Sequence, residues 1–243
     1  MDESLVGQLL GELESYGIAC DEKSARLMVS HLSLLIEKNK VLNLTRITDP
    51  SDAITLHYVD SLLPLATKTL RDYRVTSFLD LGTGGGFPGI PFGVLTGSKG
   101  VLLDSVGKKV AAVAEFAREL GLDGLEAMHA RVEDLALQRP HSFDVVLARA
   151  VAQTNVLIEY AAPLLRKNGL LVVEKGRPED DEMRCAGAAA RLCGLTLLSQ
   201  DSFELPRDLG HREILIFKRV GAPRVKLPRK PGMAKKDPLG ATS

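Results

Sequence analysis

The feature that most constrains this chain is an apolar run that ends in a carboxylate and then breaks into glycine. Val75-Thr76-Ser77-Phe78-Leu79 has the composition of a short buried strand, and Asp80-Leu81-Gly82-Thr83-Gly84-Gly85-Gly86 follows at once. Glycine clustered there serves two needs: it permits positive φ, and it lets another molecule approach the backbone closely. Such a loop belongs at the carboxyl end of a strand in an open α/β sheet, where ligands bind at the point at which strand order reverses.

The rest of the chain fits that architecture. Val101 to Leu103, Leu125 to His129, Phe143 to Leu147 and Leu170 to Val173 are further strands, and Leu195 to Leu198 and Ile214 to Phe217 close the sheet. Helices are predicted from Phe87 to Leu95, from Val106 to Leu120 with Val110, Val113 and Phe116 inward, from Asn155 to Leu165, and from Glu179 to Leu192. Alternation of strand and helix over about 145 residues predicts a mostly parallel sheet with helices on both faces. The last two strands lack a helix between them, so one of them runs antiparallel. The expected class is therefore α/β, a Rossmann-like, mostly parallel seven-stranded sheet with an antiparallel last strand.

Ahead of the sheet the pattern is helical. Leu5, Leu9, Leu13 and Tyr16 recur at helical spacing, and Leu27, His31, Leu34, Leu35 and Lys38 share a helix begun near Ser24. Asp49-Pro50 reads as a cap and first turn, which places Ile54, His57, Tyr58 and Ser61 on one face. The chain divides into a helical segment (1–74) packed on the core, a sheet domain (75–219) and a basic tail (220–243).

Composition narrows the setting. No apolar run approaches the roughly 20 residues of a membrane helix, and the start Met1-Asp2-Glu3-Ser4 is acidic where a secretory signal is basic. Cys20, Cys185 and Cys193 form no Cys-x-x-Cys pair, which argues against zinc or a disulfide framework and for a reducing cytoplasm. Asn43-Leu44-Thr45 is then a chance sequon. Nothing in the sequence demands a dimer, so a monomer is expected. The 31 basic and 31 acidic residues cancel, yet the stretch from Lys218 to Lys236 holds eight basic residues and no acidic one. That stretch reads as a solvated tail or as an arm for phosphates.

The glycine loop by itself leaves two cofactor classes open, because Gly84-x-Gly86-x-x-Gly89 also fits a dinucleotide fingerprint. Two features favour S-adenosylmethionine. Asp80 offers a carboxylate to a cationic, amine-bearing ligand where a pyrophosphate would be repelled, and the reversed strands at the end resemble methyltransferase sheets. Asp104, followed by Ser105, ends the second strand where a carboxylate grips ribose hydroxyls in either class; its alternative is a cap for the helix after it. Arg131-Val132-Glu133 reads as a loop over the adenine, or as a solvated charge pair. Arg149 stands at the end of the fourth strand, pointing into the cleft, and Lys175-Gly176 takes the same place after the fifth, or else is a turn with a surface lysine.

Together these residues resemble the glucose-inhibited division B family, bacterial enzymes that methylate N7 of a guanine in 16S ribosomal RNA. The resemblance spans Asn43-Leu44-Thr45, His57 to Leu62, Asp80 to Pro91, Leu103-Asp104-Ser105 with Gly107-Lys108-Lys109, Ala130 to Glu133, Arg149 to Ala152, Lys175-Gly176, Arg212, and Arg229 to Gly232 ahead of Pro238-Leu239. Gly85 stands where many members carry Ala or Pro. The resemblance implies S-adenosylmethionine at Gly82, Phe87, Val132, Glu133 and Arg149 with Asp104 on the ribose, beside the loop residues Asp80, Gly84, Gly86 and Ser105. Arg131, Arg149, Lys175 and Arg212 are candidates for steering RNA or holding the purine O6. His57 and Asp60 line the cleft from the helical segment, or else form a hydrogen-bonded pair that anchors it. Guanine N7 has no proton to lose, so no general base is required. Rival readings are a nicotinamide-dependent oxidoreductase, supported by Gly84-Gly86-Gly89, and a non-catalytic RNA-binding assembly factor. No metal site is expected.

Overall fold

A computed structural model describes residues 2–149 and 152–241. Ala150 and Val151, two members of the Arg149 to Ala152 motif, lie outside the described residues.

Short acidic caps start the helical layer. Asp2 accepts from the Ser4 amide at the head of α1 (Glu3–Ser15), and Asp21 accepts from the Ser24 amide at the head of α2 (Glu22–Asn39). Asp49 does the same for Asp52 at α3 (Pro50–Ala53). That helix does not stop but widens into a π-helical turn over Ile54–Val59, then runs through α4 (Asp60–Leu62) and a 3₁₀ turn (Leu63–Ala66). The widened turn, which the sequence did not announce, brings His57, Tyr58, Asp60 and Ser61 all into buried positions. A short α5 (Lys68–Arg71) leads into the sheet.

The sheet domain alternates β1 (Ser77–Leu81), α6 (Gly89–Thr96), β2 (Lys99–Asp104), α7 (Gly107–Glu119), β3 (Leu125–His129), α8 (Val132–Gln138), β4 (Phe143–Arg149), α9 (Thr154–Ala161), β5 (Leu165–Lys175), α10 (Asp180–Cys193), β6 (Leu195–Glu204) and β7 (His211–Arg219). Seven strands lie in the order β3-β2-β1-β4-β5-β7-β6, parallel except for β7, which is antiparallel to both its neighbours. The expected class holds.

Local expectations needed correction. The helix after the glycine loop begins at Gly89 rather than Phe87, because turns hold the chain through Pro88. Arg131-Val132-Glu133 is not a loop: Arg131 caps α8, which buries Val132, Leu135 and Ala136. The ninth helix stops at Ala161, because Leu165 already pairs with Phe143 in the sheet. Strand pleat sorts the core into two layers. Phe78, Leu102, Val145, Leu147, Val172 and Ile214 face α1, α2, α6 and α7. Leu79, Leu103, Val146, Ala148, Val173 and Leu215 face α8, α9 and α10.

The basic tail is not a free arm throughout. It carries a short α11 (Met233–Lys236), buries Ala234, and sends Arg229 inward to Glu159, with bonds of 2.7 Å and 2.6 Å. The Gly232 amide donates to Glu133 Oε1 at 2.8 Å. Arg224, Lys226, Lys230, Lys235 and Lys236 remain exposed.

Candidate active site

Strand order reverses between β1 and β4, so the crevice a parallel sheet offers lies beyond their carboxyl ends. Alternation along each strand then dictates which residues meet there. Asp80 shares a face with Phe78, Arg149 with Val145 and Leu147, Glu174 with Leu170 and Val172, and Arg212 with Ile214 and Ile216. That face is the one covered by the helical layer. Four ionisable side chains from four strands therefore line up under the π-turn and α4.

Two clefts open at this edge. One, of about 770 Å³, is lined by Gly82, Asp104, Ser105, Arg131, Val132, Glu133 and Arg149, with Lys109, Tyr160 and the tail residues Gly232 and Lys235. The other, of about 730 Å³, is lined by His57, Asp60, Arg149, Glu174, Lys175 and Arg212, with Gln153, Arg177 and Glu182. Arg149 lines both. Its Nη1 donates to the Leu56 carbonyl at 3.1 Å and to Asp60 Oδ2 at 3.4 Å, and the guanidinium lies 5.4 Å from the Phe87 ring centroid. Asp60 also accepts from Arg212 Nε at 2.8 Å, so one buried carboxylate holds two arginines.

The remaining candidates take different places. Asp80 does not face an open cleft: it is fully buried, and its Oδ2 accepts from the Gly89 amide at 2.8 Å. Burial pushes its carboxyl up to about 6, against the pull of Thr83 and that amide, and its Oδ1 has no partner. Asp104 lines the first cleft and accepts from the Val106 amide at 2.9 Å and the Gly84 amide at 3.1 Å, while Val106 itself heads α7 without a side-chain cap. Gly84 and Gly86 have φ of 58° and 101°, where side chains are strained. Neither they nor Phe87 line either of these two clefts; Phe87 stacks on His57 with ring centroids 4.5 Å apart. His57 and Asp60 are not bonded to each other: His57 Nε2 meets Thr45 Oγ1 at 2.7 Å, while Asp60 serves the arginines. Burial, with Arg149 nearby, pushes His57 down to about 3. Lys175 is tied to Glu182.

Two features escaped the sequence reading. His31 lies wholly buried beneath the glycine loop, with Nε2 3.1 Å from the Gly85 carbonyl and Nδ1 2.9 Å from the Tyr58 hydroxyl. A carbonyl only accepts, so Nε2 carries the proton and Nδ1 accepts from Tyr58. Burial drives this imidazole down to about 3 and keeps it neutral. The second is Glu174, 2% exposed, with neither carboxyl oxygen hydrogen-bonded. Its signal was available: like Asp80 and Asp104, it is an acid at the end of an apolar strand.

The GidB family model, described as rRNA small subunit methyltransferase G, matches residues 24–211. The chain belongs to the GidB family. Among curated GidB relatives named ribosomal RNA small subunit methyltransferase G, that of Carboxydothermus hydrogenoformans is 35% identical over 92% of this chain and 95% of its own length. That of Gloeobacter violaceus is 38% identical over 91% and 88%. Solved structures share the fold at low identity. A Burkholderia thailandensis 1,6-didemethyltoxoflavin-N1-methyltransferase matches with TM-score 0.54 and 14% identity, covering 84% of this chain and 92% of that one. TrmN from Thermus thermophilus matches with TM-score 0.52 and 18% identity, covering 69% and 53%. Among the described residues, no helix is long and apolar enough to cross a membrane, and no cluster of metal ligands occurs.

Proposed function

We propose that this GidB-family chain transfers the methyl group of S-adenosylmethionine to N7 of a guanine in 16S ribosomal RNA, acting as a cytoplasmic monomer. The observation that carries the reading is Arg149, placed where the two clefts meet.

The first cleft fits the cofactor and does not fit a dinucleotide. Asp104 and Glu133, both less than a tenth exposed, put carboxylates where ribose hydroxyls and an adenine amine are the complementary groups. A dinucleotide pyrophosphate needs free amides at a helix head, and here Asp80 already fills the Gly89 amide. Gly82, Asp104, Ser105, Val132 and Glu133 would hold S-adenosylmethionine, which supplies a methyl group on a sulfonium centre. Asp80, Gly84 and Gly86 would act one layer below, shaping the loop.

The second cleft takes the base. N7 carries a free lone pair, so the protein has no proton to remove; alignment and charge placement do the work. The burial-depressed His57 is suited to packing rather than proton transfer. Arg149 holds a fixed guanidinium between the clefts, where it can donate to the purine O6. Arg212 and Lys175 add positive charge at the rim, and Asp60 keeps both arginines in place. Arg131 and the exposed lysines of the tail give the RNA backbone a sequence-independent grip. Guanine N7 in an A-form duplex faces a groove that side chains enter poorly, so the target lies in a loop or is turned out of its stack.

The test is a map of N7-methylguanosine in small-subunit RNA from cells with and without this gene. One site lost on deletion, and restored by the purified protein with S-adenosylmethionine, is expected. An unchanged map removes the RNA assignment.

A further inference from the structure

We infer that Glu174 reads the base to be methylated, its two carboxyl oxygens accepting the N1–H and N2–H donors on the Watson–Crick edge of guanine. The inference rests on the guanine reading above. Buried polar atoms nearly always find partners, and an unpaired one is costly. Glu174 is a double exception at the wall of the second cleft, since Oε1 and Oε2 are both buried and both unpartnered. Arg149 and Arg212 act on it electrostatically, yet the carboxylate they donate to is Asp60. What is left is a pair of unpartnered acceptors on a residue that lines the second cleft, whose volume of about 730 Å³ has room for a nucleobase.

The position suits the assignment. Glu174 pairs with Arg149 in register across β4 and β5, and neighbouring strands lie about 4.8 Å apart. A purine laid across the two strand ends would turn O6 and N7 toward Arg149 and the first cleft, and N1 and N2 toward Glu174. Two adjacent acceptors match guanine, which offers two adjacent donors there; adenine offers one donor beside an acceptor. A site built to receive a hydrogen bond rejects an analogue that lacks the donor far better than an apolar pocket does.

Burial raises the Glu174 carboxyl well above the usual range, opposed by Arg149 and Arg212 and reinforced by Asp60 and Asp80; N–H donors brought to its two oxygens would act in the same direction as the two arginines.

The experiment measures kcat/KM for methyl transfer to reconstituted small-subunit RNA carrying guanosine or inosine at the mapped position. Inosine keeps N7, O6 and N1–H and lacks only the N2 amine. The wild-type protein is expected to prefer guanosine on the order of 10- to 100-fold, the range of one hydrogen bond to a charged group. Glu174→Gln is expected to bring that ratio near one by slowing the guanosine reaction. A wild-type ratio near one overturns the inference without any variant, and so does an unchanged ratio in Glu174→Gln. No transfer to the guanosine RNA by the wild-type protein removes the guanine reading itself, and this inference with it.

Discussion

At the scale of single residues, the site is governed by side chains held in place from below. Arg149 has three acceptors around it and an aromatic ring beneath it, so its guanidinium is positioned before any ligand arrives. Arg149→Ala is expected to lower kcat/KM for methyl transfer on the order of 100-fold, in line with loss of one preorganised donor. Arg149→Lys is expected to recover little, since an ammonium cannot reproduce the fork. A radiolabel assay on the mapped RNA checks both, and full activity in Arg149→Ala would remove Arg149 from its assigned role. His31 gives a second test. It is neutral in the folded chain down to about pH 3, whereas in the unfolded chain it takes a proton near 6.5. Below 6.5 the unfolded state therefore binds the extra proton, and stability falls as pH falls, by about 1.4 kcal/mol per unit from this residue. In Glu or Asp with raised values, such as Asp80, the sign is reversed over its own window, so the comparison must isolate His31. Urea titrations of wild type and His31→Gln at pH 7 and pH 5 should show the wild type losing about 2 kcal/mol more; parallel losses would refute the assignment.

At the scale of elements, the sequence disclosed periodicity and punctuation but not what each terminus would touch. The strands were legible because Leu170 to Val173 and Val101 to Leu103 are unbroken apolar runs bounded by turn residues. The cap at Asp49 was legible because it acts within three residues. Helix α8 was missed because seven residues show too little periodicity against the charged Arg131 and Glu133. The burial of Asp80 against Gly89, the Asp60 fork and the His31 strut depend on pairs far apart in sequence, which no local pattern encodes. The tail teaches the same lesson. Its charge read as a solvated tail or an arm for phosphates, yet Arg229 closes on Glu159, whose side chain is 3% exposed. Arg229→Ala strands that carboxylate and is expected to cost about 3 kcal/mol of folding stability. Calorimetry or urea unfolding would detect it, and a loss under 1 kcal/mol would mean that Glu159 reaches water.

At the scale of the whole molecule, the proposed function has the two clefts divide the work between cofactor and base, and Arg149 lines both. Ligand-induced stabilisation tests the division directly. S-adenosylmethionine at a hundred times its Kd should raise unfolding free energy by about 2.7 kcal/mol, seen as a rise in Tm. NAD at the same concentration should leave Tm unchanged, because Asp80 occupies the amide its pyrophosphate would need. A shift with NAD and none with S-adenosylmethionine would return the chain to the oxidoreductase reading. The order of strands has a consequence for synthesis. β7 is made last, yet it sits inside the sheet, between β5 and β6. Until the ribosome has released residues 211–219, β6 has no neighbour and β5 presents an open edge to other nascent chains. A message broken anywhere before that point therefore yields not a shortened enzyme but an unsealed sheet, and quality control must deal with it as such.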